Sequence, residues 1–200
     1  MAGTADISIR TRVAGVNIDA TIRRTDELEQ AFRTNMAAGR AGTLSTRTDD
    51  NTGIVTVASG HGITDTDTVA VFWEGGSRHG VDVTATTGTT ISIDLGAGTN
   101  LPAATTAVVI AKEVEHSLAI IGDDIIVMGI GCQNRVSVNF RDSGDTSLLR
   151  YDIAAGEGRL WVSSSDVTNP LATDTVANVV IANGGTTAAE LAIGLLLDTL

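Results

Sequence analysis

The sequence predicts an all-β protein, a mainly antiparallel sandwich or barrel with one short helix, and three features predict it. Apolar and polar residues alternate over short stretches, the period of a half-buried strand. Threonine, which is β-branched and suits the solvent face of a strand, occurs 28 times. Glycine occurs 22 times against two prolines, enough to supply turns between many short strands.

Residues 6–23 open with a hairpin. Ile7, Ile9 and Val13 alternate with Ser8, Arg10 and Arg12, and after Ala14-Gly15 the pattern resumes with Val16, Ile18, Ala20 and Ile22. Residues 25–37 predict the helix. Asp26 stands three residues before Glu29 as a capping pair, and Leu28, Ala31, Phe32 and Met36 follow helical spacing. Ala37 to Gly53 is expected to be irregular. From 53 to 112, five short strands predict a small barrel: 54–57, 68–73, 81–85, 90–94 and 107–111. From 113 to 200 a second set follows. Ser117–Ile121 and Ile125–Ile130 are expected to pair as a hairpin across Gly122-Asp-Asp124, before strands at 135–140, 148–153, 159–163, 177–182 and 191–197. The last run is apolar on both faces, so it needs cover on both sides. The expected divisions are 1–52, 53–112 and 113–200, with the first and last continuous as one sandwich and the barrel inserted.

The totals narrow the function classes. A content of 42% hydrophobic residues excludes a disordered chain, and no run is long enough for a membrane helix. The N-terminus lacks a basic stretch followed by an apolar one, so synthesis in a cytoplasm is expected. Cys132 is the one cysteine, which excludes a disulfide within the chain and a multi-cysteine zinc site. A net charge of −11, with Lys112 the single lysine, disfavours a grip on nucleic acid or an anionic membrane. Such a surface suits DNA passage without binding. Aromatic residues at 3% are too few for sugar or base platforms.

The segment Gly60-His-Gly-Ile-Thr-Asp-Thr-Asp-Thr-Val-Ala-Val, with Val81-Asp-Val-Thr-Ala and Thr89-Thr-Ile-Ser-Ile, resembles a small β-barrel pattern of phage and prophage tail proteins. In that pattern a His-Gly turn and an Asp open a strand. Asp67 stands at the acidic position, and Thr66 replaces the usual preceding glycine. Ala41 to Gly53 and Trp161 to Leu171 are similar to prophage-type virion proteins. The resemblance implies a virion structural subunit, assembled in a host cytoplasm, with copies of itself and other virion proteins as partners. It carries over no catalytic residue.

The residues themselves offer little chemistry. His61, His79 and His116 lack metal-ligand spacing, although His61 and His79 flank the same strands. Asp49-Asp-Asn-Thr-Gly53 begins like a calcium loop but lacks its closing Glu, and Asp65 and Asp67 form a second acidic turn; both are expected to be Asx-type turns. Cys132 has no aligned base. Gly96-Ala-Gly98 is no dinucleotide fingerprint, and Asp123-Asp124 are adjacent in a turn rather than across a cleft. No catalytic, metal or cofactor residue is therefore assigned, and the expectation is a non-enzymatic, self-assembling tail-tube subunit. A head-decoration protein is the alternative, and an extracellular β-sandwich binding module comes after it. Asp49, Asp50, Asp65, Asp67 and Glu74 are the candidates for an acidic lumen that DNA slides past.

Overall fold

The structure, a computed structural model, describes residues 4–13, 16–25, 27–96, 101–121, 125–162, 171 and 174–198. Its strands form two compact units. One comprises Met1–Met36, Glu115–Ile181 and Ala189–Leu200; the other comprises Ala37–Val114 and Ala182–Ala188.

In the first unit, β1 (Thr4–Val13) and β2 (Val16–Thr25) make a two-stranded antiparallel sheet, the hairpin that the alternation predicts. Eight further strands build a sandwich. They are β3 (Glu27–Met36), β10 (Val114–Ile121), β11 (Ile125–Cys132), β12 (Val136–Arg141), β13 (Ser147–Ile153), β14 (Gly158–Val162), β15 (Thr175–Asn183) and β16 (Ala189–Asp198). One sheet runs β14-β11-β16-β3 and the other β10-β15-β12-β13.

Counted along the chain as first to eighth, these strands pair first with eighth, second with seventh, third with sixth and fourth with fifth. The remaining contacts join third to eighth and seventh to fourth. This nesting is a long two-stranded ribbon folded over twice, the double Greek key of a jelly roll. Its core lies between the sheets: Met128 and Ile130 of β11, Leu191, Ile193 and Leu195 of β16, Val136, Val138 and Phe140 of β12, and Val176, Val179 and Ile181 of β15. Alternate residues enter this core because side chains alternate along a strand. Of the two covered faces expected for the last strand, the inner one is present in Leu191, Ile193 and Leu195.

The second unit is a closed six-stranded barrel, inserted in the sequence between β3 and β10. Its strands are β4 (Arg40–Arg47), β5 (Thr52–Val57), β6 (Thr68–Trp73), β7 (Gly76–Thr86), β8 (Thr90–Asp94) and β9 (Ala107–Lys112), in the order β4-β5-β8-β7-β6-β9. Leu44, Val55, Val69, Val71, Val81, Ile91, Ile93 and Ile110 fill the interior, so the barrel is a packed core and not a channel. Outside it, Phe72, Ala70 and Ala111 pack with Ala182.

Three sequence expectations are corrected. The segment 25–37 contains no helix: Glu27–Met36 is β3, antiparallel to all ten residues of β16. The capping pair and helical spacing are local preferences, and pairing along its whole length with the leucine-rich β16 outweighs them. Leu28, Gln30, Phe32, Thr34 and Met36 also carry a period of two that the helical pattern obscures. The segment 37–53 is not irregular throughout, because Arg40–Arg47 is β4 and closes the barrel. Its pattern is faint, since Leu44 is its one deeply buried large side chain. Gly42 belongs there because a Cβ would meet the Thr56 carbonyl oxygen at 2.5 Å. Finally, β10 and β11 do not form a hairpin but lie in different sheets. The turn residues 122–124 expected between them fall outside the described residues.

Candidate functional site

The segment Gly60–Asp67 lies in the connection from β5 to β6. Gly60 and Gly62 adopt φ of 76° and 72°, a conformation that glycine takes without strain. Between them His61 turns inward and is buried. Its Nδ1 accepts the Ile63 backbone N–H at 3.1 Å, and its Nε2 lies 2.8 Å from the Thr87 carbonyl oxygen. A carbonyl only accepts, so Nε2 carries the proton and the ring is the neutral Nε2–H tautomer. Arg40 Nε donates to the His61 carbonyl at 2.9 Å, and Ile63 enters the barrel core. Nδ1 therefore closes the 60–63 turn on itself, Nε2 ties that turn to the β7–β8 turn, and neither offers a lone pair to a metal.

Asp67 closes the same connection. Its Oδ2 accepts from the Thr64 N–H at 2.7 Å, the Thr64 hydroxyl at 2.9 Å and Lys112 Nζ at 2.7 Å. Burial pushes its carboxyl up, and the bonds from Lys112 and Thr64 outweigh burial and hold it below the ordinary value. The acidic residue of the motif thus fixes the start of β6 and joins it to the end of β9.

The other candidates separate. Asp49 Oδ1 accepts from the N–H groups of Asn51 and Thr52 at 2.7 and 2.6 Å, an Asx turn whose backbone bonds lower the carboxyl's pKa. Asp50 accepts from Arg47. Asp142, which sequence inspection passes over, makes the same kind of turn at the β12–β13 hairpin. Its Oδ1 accepts from Gly144 and Thr146 N–H at 2.8 Å each, and the Thr146 bond leads in lowering its pKa. Its signal in the sequence is the Asp-Ser-Gly-Asp stretch between two alternating runs. His79 is enclosed with Glu113, Nδ1 to Oε1 3.7 Å, and its ring meets Phe72 edge-on at 5.5 Å. His116 meets Phe32 edge-on at 5.3 Å. Cys132 is in the sandwich core, where burial raises its thiol pKa away from nucleophilic chemistry. Asp65 and Glu74 are exposed. Residues 97–100 and 123–124, including Gly98 and Asp123-Asp124, fall outside the described residues. Among the described residues no group of three His, Cys, Asp or Glu side chains is placed to hold a metal. No helix among them is long and apolar enough to cross a membrane.

The three lowered carboxylates predict acid sensitivity. A folded pKa below the ordinary 3.8 means that the unfolded chain binds more protons near that value, so stability rises with pH there. The contribution is present above 3.8 and is lost as pH falls through the lowered values. Thermal melts at pH 6, 4 and 3 should show most of the loss between the last two. Asp67→Asn should flatten that dependence, and an equal acid loss in the variant would overturn the assignment of Asp67.

No family model matches this chain, and no curated protein does. Among solved structures, that of the infectious bursal disease virus Gx strain is similar at 10% identity, over 86% of this chain and 71% of that chain, with a TM-score of 0.22. The VP2 subviral particle of infectious bursal disease virus is similar at 9% identity, over 86% and 72%, also with a TM-score of 0.22. Likeness at that score establishes neither fold nor function, and the functional reading rests on the chain's own geometry.

Proposed function

We propose that the protein is a non-enzymatic structural subunit of a virus-type particle, assembling with copies of itself, and that its place is a phage tail tube. The observation that carries this reading is the eight-strand jelly roll with a filled barrel inserted between its first and second strands. Jelly rolls recur in capsid domains, where their sheets serve as building surfaces. The barrel motif supports the same reading. His61 and Asp67, the residues that carry the resemblance to phage tail proteins, are spent on holding the barrel together. The sandwich also leaves β3, β10, β13 and β14 as sheet edges, and sister copies can satisfy such edges.

In a tube, Asp65 and Glu74 would add to an acidic wall past which DNA slides, in keeping with the net charge of −11. Asp49 and Asp67 contribute less, because their charge is taken up by backbone N–H groups and Lys112. The jelly roll itself favours a second reading, a head-decoration protein docked on a shell. Negative-stain imaging with mass measurement in solution separates the two. A hexameric ring or a filament is expected for a tube and a trimer for a decoration. A monodisperse monomer at high concentration would overturn both.

A further inference from the structure

Resting on the self-assembly reading, we propose that copies join head to tail, the free edge of β10 in one copy adding to the free edge of β14 in the next. β10 is bonded on one side to β15, and β14 on one side to β11. Among the described residues two large apolar side chains stand exposed, Val114 on β10 and Leu160 on β14, at 46% and 49%. An edge strand that holds an apolar side chain in water is a template for pairing with another chain. The two edges also differ in charge. β10 carries Glu115 and no Lys or Arg, and β14 carries Arg159 and no Asp or Glu, whereas β3 and β13 each carry both signs. Glu115 and Arg159 are exposed, and neither has an ion-pair partner among the described residues. Arg159 lies near the Tyr151 phenol, whose pKa burial raises, so that group is neutral and leaves the guanidinium charge unanswered. β10 against β10 would set acid on acid, and β14 against β14 base on base, so charge favours the unlike pair.

The sandwich presents these edges in opposite directions. Phe32 of β3 meets His116 of β10, so those two edges lie on one side, and the strand orders then place β14 with β13 on the other. β14 pairs antiparallel with β11, and β10 turns back into β11 through three residues, so β10 and β14 run the same way. Copies in like orientation therefore meet with these strands parallel. The edges belong to opposite layers of the sandwich, so the outer face of β10 continues into the inner face of β14. Glu115 is on the outer face of β10, since Leu118 enters the core, and Arg159 stands opposite Ile130 of the core, so the two charges share a face. Val114 shares the other face with Leu160, which stands opposite Gly129. Charge and apolar exposure thus agree on one arrangement. A contact between unlike surfaces repeats from copy to copy, closing a ring or extending a filament.

Sedimentation of the full chain tests this, with far-UV spectra to confirm folding. Glu115→Arg and Arg159→Glu each replace an opposite pair by a like pair and should weaken self-association about tenfold. An equimolar mixture of the two variants should recover association, because each meets its complement in the other, and the double variant should recover it too. An interface of β10 with β10, or of β14 with β14, would show no such loss. Leu160→Ser leaves the charges in place and should also weaken association. If the wild-type chain assembles and all three single variants assemble equally, the β10–β14 interface is wrong and self-assembly through another surface stands. If the wild-type chain remains monomeric at high concentration, the assembly reading falls and this interface with it.

Discussion

Phe140→Ala should destabilise the sandwich by about 3–5 kcal/mol, the range for removing a buried aromatic ring from a packed core. Phe140 is fully buried on β12, among the side chains between the two sheets. β12 lies between β15 and β13, so it is held by hydrogen bonds on both sides and has little freedom to shift into the space left. A loss of this size is a large share of the total stability of a typical domain, about 5–15 kcal/mol. The two tryptophans make the measurement local. Trp161 packs against the sandwich core and Trp73 against the barrel core. In a Trp73→Phe background, fluorescence reports on the sandwich alone. The Phe140→Ala midpoint in urea should then fall well below that of the parent. An unchanged Trp161 transition would show that this ring is not part of the core.

The elements that sequence made legible share one property: their information is local. The β1–β2 hairpin, β6, β8 and β9 each carry their own alternation or turn residues, and the strands appear where that pattern stands. The His61–Asp67 turn is legible for the same reason, since most of its bonds close within a few residues. The misread elements depend on partners distant in sequence. β3 carries helical spacing and capping residues, and β16, from the other end of the chain, makes it a strand. β10 and β11 look like a hairpin because two apolar runs flank a polar turn. Their placement in opposite sheets follows from the pairing of β10 with β15 and of β11 with β14 and β16. For the candidate site, sequence separates plausible turn acids from metal ligands at Asp49 and Asp67. It gives no sign that Asn183, inside what looks like an ordinary Asn-Gly-Gly turn, is an anchor of the barrel unit.

That anchor gives the second large effect. Asn183 is buried, and its Nδ2 donates to the Ala37 carbonyl at 3.0 Å and the Thr187 carbonyl at 2.9 Å. Its Oδ1 accepts the Gly185 N–H at 2.9 Å, and Gly39 N–H donates to the Gly185 carbonyl at 2.8 Å. One amide thus ties the segment 182–188 to the residues that lead into β4. Asn183→Ala removes three hydrogen bonds from partly buried partners, and should cost the barrel unit about 2–4 kcal/mol. The readout is Trp73 fluorescence in a Trp161→Phe background. Asn183→Asp distinguishes hydrogen bonding from packing, because it keeps the shape and removes the donor. At neutral pH its carboxylate sets a negative oxygen toward two carbonyl oxygens, so the variant should be less stable than Asn183→Ala. That environment disfavours the charged form and raises the folded pKa, so the stability deficit should grow as pH rises and shrink on acidification, when the protonated acid donates again. The comparison is made against the wild-type chain at each pH, since Asp49, Asp67 and Asp142 lose stability in the opposite sense. A deficit independent of pH would show that Asn183 acts through its volume rather than through its donor.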